Sequence, residues 1–297
     1  MNTRLARSAG SARTRVISGF SALAVVAVIV WSGLPLLSLT YLGLAIVAIN
    51  ELTGMLETKG IDIHRKSLIL AAILTLPTAL PPTHPLALPV VEALDWRIVI
   101  PGVLLVYLIA VELWKPSKSP IEAIVYSLFS YLYIPLLLSF LITLRFTPNT
   151  ADGLFTVSLV LLATFATDVG AYMFGSLFGK HKLVPSVSPN KTIEGAIGGI
   201  LFPLAFIYTL YHGVSLAITP PFPVWQALMI AFVVAGAGQL GDLFASLMKR
   251  WTGVKDTGQF LPGHGGVLDR IDSTLITLPI GYFIVSLFLA NNGAPGL

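Results

Sequence analysis

The chain has 297 residues, of which 55% are hydrophobic and only 11% are charged, with a mean hydropathy of +0.85. A soluble domain carries about 25% charged residues because its surface faces water, so this composition excludes a single soluble globule. The absence of cysteine excludes a disulfide scaffold and thiol chemistry. In a membrane protein the net charge of +4 is typical of basic cytoplasmic loops, and we expect no nucleic-acid partner.

Nine hydrophobic runs are candidates for membrane-spanning helices, each of which needs about 20 apolar residues. Lipid offers the backbone no hydrogen-bond partner, so each run should be helical. The third run is the weakest, because it is short and ends at two prolines. The nine runs cover residues 16–33, 35–56, 67–80, 98–114, 120–144, 153–174, 195–212, 223–247 and 271–290.

The distribution of Lys and Arg supports nine spans, because short cytoplasmic loops collect these residues. With the N-terminus in the cytoplasm, 16 of the 18 basic residues lie on the cytoplasmic side and only Arg97 and Arg145 lie outside. Without the third run the tally becomes 9 against 9. We therefore predict an all-α polytopic membrane protein of about nine transmembrane helices, with a cytoplasmic N-terminus and the active site at the cytoplasmic side.

The predicted organisation has three parts. Residues 1–15 form a cytoplasmic N-terminal extension, residues 16–152 hold transmembrane helices one to five, and residues 153–297 form a catalytic part with helices six to nine. Two cytoplasmic loops in the catalytic part, 175–194 and 249–270, are rich in Gly, Pro and charge. They are long for simple connectors, so we expect them to carry function.

Besides Asp272 at the start of the last run, five acidic residues fall within the predicted spans, where an ionisable group is costly unless it is paired or hydrated. All five lie toward the cytoplasmic ends of their helices. We interpret Glu112 and Glu122 as markers of helix ends. Apolar or small residues flank Asp168, Asp242 and Glu51, and for these three we favour a functional role.

A pair of acids at the start of the last helix predicts a cation site. Asp269 and Asp272 are three residues apart, so their carboxylates project from one helix face. Such ligands suit Mg²⁺, and Asp242 is a candidate third ligand. Alternatively, the two acids cap the helix and favour its N-terminal dipole. The nearby Gly265 and Gly266 either let backbone amides approach an anion or simply form a turn.

The first loop ends in SPNKTIEG at residues 188–195, where the seventh predicted helix begins. Pro189 favours a turn, while Lys191, Thr192 and the amides of the helix N-terminus form a candidate phosphate site. The spacing is not that of a Walker A loop. The alternative is a basic loop that only fixes topology or contacts lipid headgroups.

Longer motifs carry a resemblance to a known family. Residues 246–272 read SLMKRWTGVKDTGQFLPGHGGVLDRID, and they resemble the signature of the phosphatidate cytidylyltransferases, or CDP-diacylglycerol synthases, without departure at any of these 27 positions. Shorter matches are DVGAY at 168–172, FGKHKL at 178–183, SPNKTIEG at 188–195, GQLGD at 238–242 and NE at 50–51. The similarity covers most of the chain after the first helix.

The resemblance implies a multi-pass enzyme of the cell inner membrane, a homodimer, that makes CDP-diacylglycerol and pyrophosphate from CTP and phosphatidic acid. Membrane lipid is then both solvent and substrate. It also implies Mg²⁺ as cofactor and leaves open a second cation, monovalent or divalent. The attacking phosphate is already an anion at neutral pH, so catalysis needs charge neutralisation and alignment more than proton transfer.

The expected site residues combine the resemblance with the motifs above. The expected catalytic residues are Asp242, Lys249, Arg250, Lys255, Asp256, His264, Asp269, Arg270 and Asp272. The expected substrate-binding residues are Asp168, Ser188, Asn190, Lys191, Thr192, Glu194, Gly265 and Gly266. The expected metal ligands are Asp242, Asp269 and Asp272. For His264 two roles stay open, orienting pyrophosphate or fixing its loop.

Two other functions are considered. A CTP-dependent lipid kinase acting on dolichol or a similar polyprenol would transfer the γ-phosphate to an alcohol and would need a base near the hydroxyl. A membrane transporter would also place acids in helices, but it would be expected to show polar groups near the bilayer midplane and repeat symmetry. The sequence shows neither of these transporter features.

Overall fold

The structure is a computed structural model that describes residues 25–81, 83–88, 95–147, 149–258 and 265–291. It is predominantly helical. The helices are α1 (described over residues 25–31), α2 (Leu34–Glu57), α3 (Arg65–Ala79), α4 (Trp96–Trp114), α5 (Pro120–Tyr131), α6 (Leu137–Arg145), α7 (Thr150–Phe178), α8 (Ile193–Ser215), α9 (Val224–Thr252) and α10 (Leu268–Asn291). A π-helical turn, Leu132–Leu136, joins α5 to α6.

Within the described ranges, seven helical segments are long and apolar enough to cross a membrane. They coincide with seven of the nine predicted runs, the second and the fourth to ninth, and they support a polytopic membrane protein. The third run forms α3, which has 15 residues and is not among the seven. Half of the first run, residues 16–24, lies outside the described residues. The count of nine therefore stays a prediction.

The predicted second loop, residues 249–270, includes helical residues at both of its ends. Lys249 and Arg250 lie on the last turn of α9, where basic side chains favour the negative end of the helix dipole. The helix ends at Thr252 and is capped by Gly253, whose φ of +81° is a conformation that suits glycine. Asp269 and Arg270 lie on the first turn of α10. Four of the expected catalytic residues thus project from helix ends and not from a loop.

The first predicted loop contains a small β-hairpin, so the prediction of an all-α protein is wrong in this detail. Strand β1 (Lys182–Val184) pairs antiparallel with β2 (Ser188–Thr192), with Lys182 opposite Thr192. The strands have three and five residues, too short and too polar for a period of two to appear in the sequence. The hairpin leads directly into α8.

Helices α7 and α8 pack closely through small residues. A side chain at Gly198 would overlap the ring of Phe174, and one at Gly170 would overlap the backbone of Gly198. Small residues let helix backbones approach in lipid, where the hydrophobic effect does not drive helices together. Helix α9 packs against α10 and also contacts α7 and α8. These four helices form the framework of the candidate site.

The N-terminal helices are joined by buried polar contacts. The Tyr41 hydroxyl of α2 lies 3.1 Å from the carbonyl oxygen of Ala72 in α3 and 3.2 Å from that of Pro135 in the π-helical turn. Thr75 of α3 contacts the Tyr131 hydroxyl at 2.9 Å. Pro135 has no N–H to donate, which favours the local departure from α-helical hydrogen bonding.

Candidate active site

Three helices bring together a cluster of carboxylates. Asp168 of α7 and Asp272 of α10 both lie close enough to Asp242 of α9 for their charges to interact. Asp272 is buried, whereas Asp168 is exposed and the Asp242 side chain is partly exposed. Like charges at close range repel, so this cluster requires cations nearby.

A lysine of the hairpin supplies one such cation. The Lys191 ammonium in β2 forms an ion pair with Asp242 at 2.5 Å, and its charge also acts on Asp168. The hairpin is held against α9 by Arg250, whose Nε donates to the carbonyl oxygen of Val187 at 3.2 Å. The two stretches singled out in the sequence, 175–194 and 249–270, therefore meet at the same part of the molecule.

Asp269 belongs to a second network beside the carboxylate cluster. Its Oδ1 accepts from the Lys249 ammonium at 2.7 Å. Its Oδ2 accepts from the backbone N–H of Thr257 at 2.9 Å, from the Thr257 hydroxyl at 3.0 Å and from the N–H of Gly266 at 3.2 Å. Lys249 also interacts electrostatically with Asp272, so it links the two networks.

Glu51 of α2 reaches the same region, although the expected catalytic and binding residues did not include it. Its buried carboxylate accepts from the backbone N–H groups of Val267 and Leu268 at 2.9 and 2.7 Å. The signal in the sequence was an acid within an apolar span. Its partners follow more than 200 residues later, and no local pattern identifies them.

Two of the expected substrate-binding residues bond to the protein instead. The Thr192 hydroxyl accepts from the N–H of Gly195 at 3.1 Å and caps α8. The Glu194 carboxylate accepts from the backbone N–H groups of Lys180 and His181 and lies 2.6 Å from Nδ1 of His181. In this structure both side chains therefore hold the backbone at the two ends of the hairpin.

The other expected residues surround these networks. Asn190 and Arg270 are exposed and Ser188 is partly buried. Lys255 and Asp256 are exposed in the segment that follows α9, Gly265 has a positive φ of +83°, and Gly266 is buried. His264 lies outside the described residues.

The donor chemistry fits a hard cation, but the predicted three-carboxylate set is not assembled as a metal centre. In the part of the chain that the structure describes, no group of three His, Cys, Asp or Glu side chains is arranged to hold a metal ion. Mg²⁺ characteristically takes one or two carboxylates together with phosphate oxygens and water. Asp242 and Asp272 fit that role, whereas both oxygens of Asp269 already accept hydrogen bonds.

Comparison with known proteins gives the same family as the motifs. Residues 13–288 match the cytidylyltransferase family. The chain is 45% identical over 135 residues to a phosphatidate cytidylyltransferase of Staphylococcus haemolyticus, a match that covers 46% of this chain and 50% of that protein. The corresponding proteins of Staphylococcus aureus (strain COL) and Staphylococcus epidermidis (strain ATCC 12228) are 45% and 46% identical, with the same coverage.

These matches span about half the length of the curated relatives. The family match is broader and covers nearly the whole chain, including α2 with Glu51 and the three helices that carry the carboxylate cluster. This chain therefore belongs to the cytidylyltransferase family.

Proposed function

We propose that the protein transfers the cytidylyl group of CTP to phosphatidic acid, giving CDP-diacylglycerol and pyrophosphate. The observation that carries this proposal is the convergence of Lys191 and Lys249 with Asp242, Asp269 and Asp272 where the hairpin meets α9 and α10. A site of alternating positive and negative groups suits a reaction between two polyanions that share a cation. Membership of the cytidylyltransferase family supports the same chemistry.

The reaction balances without an external oxidant or base. An oxygen of the phosphatidate phosphate bonds to the α-phosphorus of CTP, and the bond from that phosphorus to the bridging oxygen of the β-phosphate breaks. Pyrophosphate carries away the electron pair. The nucleophile is an anion before it attacks, so the protein must hold and neutralise phosphates in line. Lys191, Lys249, Arg250, Lys255 and Arg270 are the proposed phosphate-binding residues.

We propose that Mg²⁺ binds beside these lysines. Asp242 and Asp272 would hold it together with phosphate oxygens, and Asp168 is close enough to contribute charge. Bound there, the ion would neutralise charge on the phosphates and help them align. We assign Asp269, the third expected ligand, to positioning Lys249 and not to holding the ion, because its oxygens accept hydrogen bonds from Lys249, Thr257 and Gly266.

We also propose the nine-span topology with the site facing the cytoplasm, where CTP is available. At the end away from Glu51, helix α3 reaches as far as α2 despite its length. Ala72 lies level with Tyr41, and from these residues both helices extend another seven residues toward the opposite end, about 10 Å at the helical rise. We also propose that the protein lies in the inner (cytoplasmic) membrane and forms a homodimer. The mass of the purified protein in detergent would test whether it is a dimer.

The test is incubation of the purified protein with Mg²⁺, phosphatidic acid and CTP labelled in the cytidine. A parallel reaction replaces phosphatidic acid with diacylglycerol, which offers a hydroxyl and no phosphate. We expect labelled CDP-lipid and pyrophosphate with phosphatidic acid only. CDP together with a phosphorylated lipid would identify a lipid kinase, and no turnover with either acceptor would contradict an enzymatic function for these lipids.

A further inference from the structure

Helix α10 begins without a capping residue of its own. A helix start leaves backbone N–H groups without intrahelical acceptors, and Ser, Thr, Asp or Asn at the preceding position usually accepts from them. Here that position is Val267, preceded by Gly265 and Gly266. Val267 and Leu268 are buried, so water cannot easily replace the missing acceptor.

Glu51 of α2 supplies the missing acceptors from another part of the chain. Its Oε1 accepts from the N–H of Val267 at 2.9 Å, and its Oε2 accepts from the N–H of Leu268 at 2.7 Å. Each carboxylate oxygen therefore holds one backbone amide at the helix start. A negative charge at this end also interacts favourably with the helix dipole.

The same carboxylate is connected to Asp269 through Thr257. The Thr257 hydroxyl lies 3.3 Å from Oε2 of Glu51 and 3.0 Å from Oδ2 of Asp269. The backbone N–H of Thr257 donates to that same Asp269 oxygen. Displacing Glu51 would therefore change both the start of α10 and the position of the carboxylate that pairs with Lys249.

Two glycines are packed against Glu51. A Cβ at Gly258 would lie 2.5 Å from its Oε1, and a Cβ at Gly266 would overlap both Glu51 and the Thr257 hydroxyl. Neither glycine has a positive φ. Their lack of a side chain is therefore required by space, because the loop must approach the carboxylate closely.

We propose that Glu51 is a positioning residue for cytidylyl transfer, which holds the start of α10 and, through Thr257, the Asp269 carboxylate beside Lys249. The proposal rests on the proposed function, because transfer is one of its readouts. It assigns Glu51 no contact with substrate. Because Glu51 lies on α2, the proposal also means that the N-terminal helices contribute to the reaction and do not only anchor the protein in the membrane.

The first experiment compares Glu51→Ala and Glu51→Gln with Glu57→Ala, which changes an exposed acid of the same helix. We expect kcat to fall about 100-fold for Glu51→Ala, since small misplacement of reacting groups costs about that much. Glu51→Gln keeps one acceptor oxygen and should fall less. The KM for CTP should change less than kcat. Wild-type kcat in Glu51→Gln, or an equal loss in Glu57→Ala, would overturn the proposal.

A second measurement does not depend on activity. Hydrogen exchange of the Val267 and Leu268 amides should be faster in Glu51→Ala and Glu51→Gln than in the wild type, and unchanged in Glu57→Ala. Unchanged exchange in both Glu51 variants would show that the carboxylate does not hold these amides and would overturn the inference. If the wild type makes no CDP-lipid, the proposed function fails. The exchange result still tests whether Glu51 holds the amides of Val267 and Leu268.

The glycine contact gives a third, independent test. Gly258→Ala should lower kcat about 10-fold or more in the wild-type background, because its methyl group would displace Glu51. In the Glu51→Ala background the same change should cost less than about 3-fold, because the displaced group is already absent. Equal losses in the two backgrounds would mean that Gly258 acts independently of Glu51, and would overturn this part of the proposal.

Discussion

Lys191 and Asp242 meet across two elements, yet neither side chain is fully buried. Their side chains are 26% and 36% exposed. An ion pair this accessible to water is worth no more than about 1 kcal/mol, so its partners can be exchanged at little cost. A substrate phosphate can take the place of Asp242 beside the ammonium. The carboxylate is then available to a cation, which is the division of roles that the proposed reaction needs.

The first prediction concerns the charge of Lys191. Lys191→Gln should lower kcat/KM by about 10-fold or more, because it removes a charge-assisted hydrogen bond to phosphate. Lys191→Arg keeps the charge and should retain more activity. Steady-state assays across pH should give profiles of the same shape for both variants. Loss of one limb of a bell-shaped profile would instead indicate an acid or base role for Lys191.

The second prediction separates metal binding from positioning among the acids. Asp272→Asn should raise the Mg²⁺ concentration for half-maximal activity, because it removes a proposed ligand. Asp269→Asn should lower the maximal rate about 100-fold with a nearly unchanged Mg²⁺ midpoint, because it weakens the contacts to Lys249 and Thr257. Asp62→Asn, an exposed acid between α2 and α3, serves as the control.

Mg²⁺ titrations of the purified variants decide between these roles. A large shift in the midpoint for Asp269→Asn would return Asp269 to the set of metal ligands. Near-wild-type activity of the same variant at all Mg²⁺ concentrations would contradict both roles.

For individual residues, the sequence identified the residue types of the site but not their hydrogen-bond and ion-pair partners. The signature at 246–272 included Lys249 and Asp269, which the structure pairs, but spacing along the chain could not indicate that pairing. Thr192 and Glu194 have the composition of a phosphate site and instead cap a helix and hold a turn. Hydrogen-bond partners depend on how elements pack, and a motif within one element contains no information about that.

Among the elements, the helices were the predictable part. The hydrophobic runs 98–114 and 120–144 correspond closely to α4 and to α5 with α6, because lipid requires long apolar helices whatever the tertiary contacts are. The hairpin was missed. Its strands are held by Arg250 and by the start of α8, and these contacts are tertiary.

The third prediction tests the close packing of α7 and α8. Gly198→Ala should destabilise the protein by about 1 to 3 kcal/mol, because its methyl group would overlap Phe174 in a packed interface. Gly213→Ala in the same helix is the matched control, since nothing lies within 4 Å of its added Cβ. Thermal unfolding in detergent measures both. Equal melting temperatures for the two variants would contradict the proposed interface.

For the whole molecule, contacts join the N-terminal helices to the part predicted to be catalytic. Thr58, at the end of α2, donates to the carbonyl oxygen of Thr252 at the end of α9 at 3.0 Å. At the opposite end, Arg145 of α6 donates to Val30 of α1 at 2.8 Å, and Arg97 of α4 donates to Thr143 of α6. The predicted nine-span topology would place the first of these groups of helix ends at the cytoplasmic side and the second at the outer side.

The fourth prediction tests that topology, on which the proposed cytoplasmic site depends. The chain has no cysteine, so single introduced thiols report sidedness without background. Asp62→Cys and Ser186→Cys, both exposed, should react with a membrane-impermeant maleimide only after the inner face is opened. Leu86→Cys and Leu216→Cys, which are 70% and 89% exposed as wild-type residues, should react in intact cells.

The pair at 62 and 86 decides whether α3 crosses. Its 15 residues rise about 22 Å, less than the roughly 30 Å of the hydrocarbon core, so crossing requires the adjoining non-helical residues to contribute. The loop at residues 58–64 is held by His64, which lies 2.6 Å from Glu112 at the end of α4. If Asp62→Cys and Leu86→Cys react from the same side, α3 does not cross. The nine-span topology would then be wrong, although the hydrogen bond from Thr58 to Thr252 would still place the C-terminal ends of α2 and α9 on one side, and the labelling of Ser186→Cys would decide which side that is.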